Sequence, residues 1–455
     1  MSIIIAGERS GVGKTTITLA LLSWLKEKGE KVQSFKVGPD YIDPMFHTRV
    51  TGFPCRNLDP ILTSESYVKS SFNYHSQGKD FAVIEGVMGL FDGLSFRNSP
   101  YYSSTAHVAQ LLDLPVILII DCSRLSGSVS AIALGYSKLD PSVTIAGVIL
   151  NKVASEKHLE YLKKALQLIS MPILGVFFRN SEITIPDRHL GLIPTEEIAN
   201  YKHIFKQLAA IAQRSFNWDL LLPLLKFKYK NYDENFILTK ETKQYHNKII
   251  AIALDPAFNF YYQDNLDILK NQGAELIYWS PLTDKKIPKN VNMFYFGGGF
   301  PEVFAQPLSE NEPIKQQLKQ SILSGIPTYA ECGGMMYLSE YIEDFEGEKW
   351  AMTGVLPNTA KMSKKLTLGY RKIEILKNNF FAPEKTILWG HEFHRATNSC
   401  PPQNPLIKVK DAYRNQLIDY QGWYYHNTYA SYIHLHFGQI FSAHLSPILD
   451  KSYHG

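Results

Sequence analysis

Three groups of residues in this chain have the types and spacing to do chemistry. The first is SIIIAGERSGVGKTT, residues 2–16. Residues 7–13 read as a phosphate-cradling loop that includes Gly11, Val12 and Gly13, and Lys14, Thr15 and Thr16 open a helix. Backbone N–H groups in such a loop turn inward on an anion, and the helix N-terminus adds partial positive charge. Lys14 would reach the terminal phosphates of a nucleotide, and Thr15 a Mg²⁺ ion. The spacing is irregular: the P-loop pattern asks for glycine at position 8, but Glu8 stands there and the first glycine is Gly7. Arg9 falls where one branch of P-loop proteins carries an extra lysine. A glycine-rich turn with no ligand is the plainer alternative, disfavoured by the order strand, loop, helix.

The second group lies at the ends of later apolar runs. FKVGPDYIDP carries Lys36, Asp40, Tyr41 and Asp43, and DFAVIEGVMGLFDG carries Glu85. The C-terminal ends of strands are where open α/β sheets bind ligands. Asp40 could hold Mg²⁺, and Asp43 could orient a substrate or the metal shell. Beside a nucleotide, Lys36 could neutralise a phosphate in transfer. Glu85 stands where P-loop enzymes ligate or orient Mg²⁺. Aspartate beside proline is also ordinary turn chemistry. Asn151, at the end of another apolar run, would meet the nucleotide base or serve as a turn residue.

The third group is built on AECGGMMYL, residues 330–338, where Cys332 stands on a sharp turn between strand and helix. That geometry exposes a nucleophile, and a helix N-terminus lowers a thiol pKa. Backbone N–H groups at Gly298, Gly299 and Gly333 could stabilise an oxyanion. A lone cysteine is more commonly a core residue, but the flanking glycines argue against that. The base would come from ASYIHLHF, where His434 and His436 share one side of a strand. Either could pair with Cys332, or the two could bind a metal, for which spacing offers no third ligand. GHEFH adds His391 and His394, but only two residues separate them, so it is not the HExxH of zinc proteases.

These groups need elements to hold them. The 455 residues suggest about two to four domains. At 45% hydrophobic residues the chain can bury a large core, and a net charge of +4 is too mild to argue for nucleic acid. Cys55, Cys122, Cys332 and Cys400 form no CxxC pair, which fits a reduced cytoplasmic chain better than a disulfide framework or zinc site. No signal peptide is evident, and the longest apolar runs, such as residues 115–120, are too short to span a bilayer. Neither nucleic acid nor membrane is expected as a partner, and oligomeric state is left open.

Strand-like runs at residues 3–5, 31–37, 81–84, 116–121, 144–150 and 172–176 alternate with helical stretches such as 15–28, 128–137 and 156–168. The pattern predicts a doubly wound, mainly parallel α/β sheet over residues 1–214. The RHLGL run at 188–192 could line a substrate pocket. Residues 215–247 read as an interdomain linker, partly helical. A second α/β fold restarts at 248 and runs to 445, with strands at 248–254, 275–279, 293–296 and 327–330. Residues 446–455 are a tail.

Taken together, GERSGVGKTT, FKVGPDYIDPMFH, NLDP, EGVMGLFDG, GVILNKV and RHLGL, followed by DPAFNFYY, GGGFPE, AECGGMMYL, LTLGYR, GHEFHR and ASYIHLHF, make the chain resemble the cobyrinate a,c-diamide synthase family. These are amidotransferases of cobalamin biosynthesis, and the resemblance covers nearly the whole chain. It implies a P-loop ATP-dependent synthetase domain followed by a class I-like glutamine amidotransferase domain. Cys332 would attack the amide carbon of L-glutamine and release ammonia, with His434 as the base of the Tyr-x-His motif. Relatives carry a carboxylate two residues after that histidine. Here His436 takes the place, so a dyad without an acidic partner is expected, with His436 as the alternative base.

Ammonia would pass internally to the P-loop domain. There ATP would phosphorylate the c and then the a acetate of a corrinoid, cobyrinate, and ammonia would displace phosphate. Residues 11–16 would carry the phosphates, Thr15, Asp40 and Glu85 the Mg²⁺, and Lys36, Tyr41 and Asp43 the substrate or its activation. Tyr370, Arg371, His391 and His394 would contact the macrocycle or its carboxylates across the domain interface. Arg395 follows His394 where an aromatic residue is more usual. The same chemistry on hydrogenobyrinate or nickel sirohydrochlorin is the near alternative. A regulatory P-loop ATPase fused to a ligand-sensing domain is the distant one.

Overall fold

The computed structural model describes residues 2–96, 99–179, 187–188, 191–192, 200–225, 236–239 and 244–442. His189 and the 446–455 tail lie outside the described residues. The chain divides into two compact units, residues 1–233 and 234–455.

In the first unit, aliphatic runs buried on both faces become parallel strands, because only a sheet covered by helices on each side can shelter them. Strands β1 (Ile3–Gly7), β2 (Val32–Val37), β3 (Arg56–Leu58) and β4 (Phe81–Glu85) are joined by Val116–Asp121, Ile145–Val153 and Ile173–Phe178. The seven strands lie in the order β3-β2-β4-β1, then those three in sequence, all parallel. The core gathers Ile4, Phe35, Ile84, Leu118 and Leu150 from five of them, all fully buried. The order of connection reverses beside β1, so the ends of β1, β2 and β4 open on one crevice. Trp218 stacks on Trp24 of helix α1 (Lys14–Glu27), with ring centroids 3.6 Å apart, so the stretch just past residue 215 packs on this unit.

The sequence pattern assigns no helix to residues 40–51. They form helix α2 (Ile42–Thr51). Pro44 looks like a breaker there, but it lies in the first turn, where no intrahelical N–H is needed. Asp40 Oδ1 accepts from the backbone N–H of Ile42 at 2.9 Å and Asp43 at 3.2 Å, which starts the helix in the way an N-cap does.

The second unit holds a mixed twelve-stranded sheet. Its parallel part pairs Glu275–Trp279, Ile249–Ala253, Met293–Phe296, Thr328–Glu331 and Thr428–Ser431 in that order. An antiparallel extension follows through Leu417–Tyr425, Pro405–Asp411, Leu356–Ile375 and Ile387–Asn398. The sequence pattern gave no element for this extension. Its longest strand, Leu356–Ile375, carries exposed lysines where a half-buried strand would alternate. No helix among the described residues is long and apolar enough to cross a membrane.

Candidate active sites

The loop after β1 closes as the glycines require. Gly11 and Gly13 take φ of 77° and 97°, and Gly13 leads directly into α1. The irregular first glycine has a steric reason: a Cβ on Gly7 would lie 2.5 Å from Val12 Cγ2. Glycine is needed where the chain leaves β1, and position 8 is free to be Glu8. Asn151, from the end of Ile145–Val153, donates from Nδ2 to the Val12 carbonyl at 2.7 Å. Its amide braces the loop. A cavity of about 1470 Å³ runs from Gly13 and Thr16 past Asn151 and Lys152 to Arg179 and Arg214, and has the room for a nucleoside.

Lys14 Nζ donates to the Met88 carbonyl at 2.6 Å and to the Arg9 carbonyl at 3.3 Å, which holds it across the mouth of the loop. Burial, and then the Lys36 ammonium, push its pKa down to about 8. An anion in the loop would restore the charge. Nucleotide affinity is therefore expected to be flat below about pH 8 and to fall by up to about tenfold per unit above it, as the free enzyme loses the Lys14 proton. Titrating Kd against pH checks this; a Kd unchanged through about pH 9 contradicts a charged Lys14–phosphate contact.

The strand-end acids come together around Lys36. Lys36 Nζ lies 2.6 Å from Asp43 Oδ2, 2.8 Å from Glu85 Oε1 and 3.7 Å from Asp40 Oδ2. Thr15 Oγ1 lies 2.8 Å from Glu85 Oε1 and 3.2 Å from Asp43 Oδ2. Asp43, placed by the first turn of α2, therefore reaches Thr15, whereas Asp40 spends one oxygen on the helix start. Thr15, Asp43 and Glu85 form the tighter oxygen set, and Asp40 stands behind it. Tyr41 is buried at the same turn. Burial, then the Asp40 charge, push Asp43 up to about 7. Burial opposes the Glu85 charge too, but Lys36 and His47 outweigh it and hold that carboxyl well below its usual range.

His47, on α2, is the residue sequence reasoning missed. It is fully buried, with Nε2 2.7 Å from Glu85 Oε2 and Nδ1 3.5 Å from Cys55 Sγ. By engaging Oε2 it turns Oε1 toward Thr15 and Lys36. The motif FKVGPDYIDPMFH contained it, but without α2 nothing aimed it at Glu85. Among the described residues no three His, Cys, Asp or Glu side chains form a metal cage by themselves. Mg²⁺ at nucleotides takes one or two carboxylates and completes its shell with phosphate and water. A hydroxyl beside two carboxylates is a donor set of that kind, and a cation there would relieve the mutual repulsion of Asp40, Asp43 and Glu85.

In the second unit Cys332 takes φ 45° and ψ −103° between Thr328–Glu331 and the helix Gly333–Leu338. A non-glycine residue held there marks a strained elbow. Its N–H donates to the Ser431 carbonyl at 2.8 Å, which pins the elbow to the neighbouring strand. Contrary to the expectation of an activated thiolate, burial, then the Glu302 carboxylate, push the thiol well up. As a nucleophile, Cys332 would have to lose its proton as it attacks. The six-residue helix does not offset burial.

His434 packs against the glycine run: a Cβ on Gly298 would come 2.5 Å from His434 Cε1. Gly299 N is 3.1 Å from where a Cβ on Gly333 would sit, so the Gly299 backbone lies against the elbow. Gly298 leaves the space that the His434 ring occupies. His436 is turned to other partners: Nδ1 accepts from Gly438 N–H at 3.1 Å and Nε2 lies 3.8 Å from Asp264 Oδ2. The expected absence of an acid at His434 does not hold. Glu331 Oε2 lies 3.4 Å from His434 Nδ1.

Arg371, His391 and His394 are all buried. His391 pairs with His434 across two antiparallel strands, and burial, then the neighbouring His434, hold its pKa down to about 3. Arg371 Nε donates to Glu392 Oε2, and Gln421 Nε2 donates to Glu392 Oε1 at 3.2 Å. His394 stacks on Tyr432 with centroids 4.0 Å apart. Tyr370 pairs with His391 in register. Glu392, unnoticed in the sequence, is the centre of this cluster.

Residues 3–193 match the CobQ/CobB/MinD/ParA nucleotide binding domain, and residues 249–440 match the CobB/CobQ-like glutamine amidotransferase domain. The chain is 50% identical over 438 residues to a cobyrinate a,c-diamide synthase of Synechocystis sp., covering 96% of this chain and 91% of that one. It is 44% identical over 438 residues to the enzyme of that name from Gloeobacter violaceus, covering 96% and 94%. For that of Listeria monocytogenes serovar 1/2a the figure is 40% over 448 residues, covering 96% of each.

Proposed function

The chain belongs to the cobyrinate a,c-diamide synthase family, a family of glutamine-dependent ligases, and from that premise we propose that it amidates the a and c acetates of cobyrinate. ATP activates each carboxylate and glutamine supplies the nitrogen. One observation supports the reading: a single chain holds both a P-loop with converging oxygen donors and a strained cysteine elbow, with His434 packed against the glycine run that also borders the elbow.

At the elbow, the Cys332 thiol attacks the glutamine amide carbon as His434 takes the thiol proton. The developing oxyanion faces the N–H groups of Gly299 and Gly333. His434 then gives its proton to the departing nitrogen, and water hydrolyses the thioester to glutamate and frees Cys332. At the P-loop, residues 11–16 hold the nucleotide phosphates and Asn151 keeps the loop in shape. Thr15, Asp43 and Glu85, with Asp40 behind them, would hold Mg²⁺, which supplies charge neutralisation at the phosphates when bound. Lys14 and Lys36 bring positive charge to the phosphoryl group while a substrate carboxylate oxygen attacks it. Ammonia then adds to the acyl carbon and phosphate leaves. A carboxylate has no leaving group of its own, which is why the P-loop is needed.

The unpaired thiols of Cys55, Cys122, Cys332 and Cys400 suit the reducing cytoplasm. Mass spectrometry after incubation with ATP, Mg²⁺, glutamine and each candidate acid tests the substrate. Cobyrinate is expected to lose about one mass unit for each OH replaced by NH₂ as the acyl group passes to nitrogen. Conversion of hydrogenobyrinate or nickel sirohydrochlorin in its place would reassign the substrate. No conversion of any of them would sink the synthase reading.

A further inference from the structure

We infer that Glu331 is the acidic positioning residue of the amidotransferase site, and that it holds His434 in the tautomer able to take the thiol proton. The inference rests on the reading of Cys332 and His434 as nucleophile and base. The position two residues beyond the base is His436, which cannot serve, because its ring is engaged by Gly438 N–H and lies near Asp264. The acid arrives instead from the residue before the nucleophile.

Glu331 ends the strand Thr328–Glu331 and is 1% exposed. Its Oε1 accepts from the Tyr329 hydroxyl at 2.6 Å and from the Leu435 N–H at 3.0 Å. Those bonds fix the carboxylate plane and tie it to the residue next to the base. Oε2 is left 3.4 Å from His434 Nδ1. An ionised carboxylate only accepts, so the proton between them belongs to Nδ1. Nε2 then carries the lone pair and can receive a proton from a thiol. As His434 becomes imidazolium, the adjacent buried charge stabilises it. Tyr329 and Leu435 make up part of the cost of burying that charge.

The strand register explains the placement. Glu331 pairs with Ser431, and Cys332 N–H bonds to the Ser431 carbonyl. The chain that continues from Ser431 returns within three residues to His434, beside the same carboxylate. Nucleophile and acid can therefore be neighbours in sequence and still address the base from different directions.

Glu331→Gln separates positioning from packing. The amide carbonyl can keep the Tyr329 and Leu435 bonds, while its NH₂ donates to Nδ1 and drives His434 to the tautomer with Nε2–H. Glutamine-dependent kcat is expected to fall at least about 100-fold with the KM for glutamine within about threefold, since the base is in the wrong tautomer but the pocket is intact. Amidation from free ammonia should be unchanged. A glutamine-dependent kcat within about threefold of the parent would overturn the inference. A second readout needs no variant: ¹⁵N NMR of the parent enzyme should show His434 protonated on Nδ1, and an Nε2–H form would overturn the assignment. If the parent enzyme lacks glutaminase activity altogether, it is the proposed function that fails, whereas a wrong tautomer or an indifferent Glu331→Gln counts against Glu331 alone.

Discussion

Cys332→Ala abolishes glutamine-dependent amidation, by at least about 10⁴-fold, and leaves amidation from ammonium salts at the parent rate; that is the expected result. The size follows from the chemistry. Without the thiol no thioester forms, and His434, Gly299 and Gly333 have no attacking atom to serve. The selectivity follows from the position of the residue. The Cys332 side chain is buried at the elbow, and its backbone is held by Ser431 and by the strand before it. Alanine therefore removes the sulfur and leaves the turn standing. The oxygen cluster at Thr15 and Glu85 belongs to the other compact unit and keeps its own hydrogen bonds. The check is a pair of rates, one with glutamine and one with ammonia. Loss of both would mean that the two chemistries do not occupy separate sites.

Glu85→Gln should have the complementary effect. Amidation falls at least about 10³-fold with either nitrogen source, while glutamine hydrolysis at Cys332 persists. Glu85 is fully buried and receives Thr15, Lys36 and His47 at once. A neutral amide keeps the shape and removes the charge. It weakens the oxygen set for Mg²⁺ and takes away one of the two closest partners of a buried ammonium. Breaking one side of such a pair costs about 3–5 kcal/mol, so the melting temperature is expected to drop as well. Persisting glutaminase activity shows whether the other unit is still folded. Near-parent amidation in Glu85→Gln would remove this carboxylate from phosphoryl transfer.

What the sequence made legible here was set by local chemistry. The parallel strands could be read because they are short aliphatic runs bounded by glycine and acidic residues. The P-loop could be read despite its spacing, and Val12 packing over Gly7 shows why the first glycine moved. Cys332 could be read because two glycines follow a cysteine at a strand end. The misses share one cause: their meaning depends on pairing across distance. His47 drew no role from the sequence because α2 has little apolar periodicity and an early proline. Only the helix aims it at Glu85, 38 residues away. Glu392 meets Arg371 and Gln421 through strand register in an extension whose exposed lysines hid its strands. Glu331 was overlooked because an acid was sought after the histidine, and this one precedes the nucleophile. The thiol was expected to be activated by a helix end, but that helix has only six residues and burial of the side chain outweighs it.

The central claim is that one chain takes nitrogen from glutamine and delivers it to a carboxylate that ATP has activated. The most direct measurement supplies glutamine labelled with ¹⁵N at the side-chain amide, with ATP, Mg²⁺ and cobyrinate, and determines the product mass and the position of the label. The account predicts ¹⁵N in the new amides at both the a and c acetates, only when ATP is present. An unlabelled product, or an untouched cobyrinate while ATP and glutamine are both consumed, would contradict it.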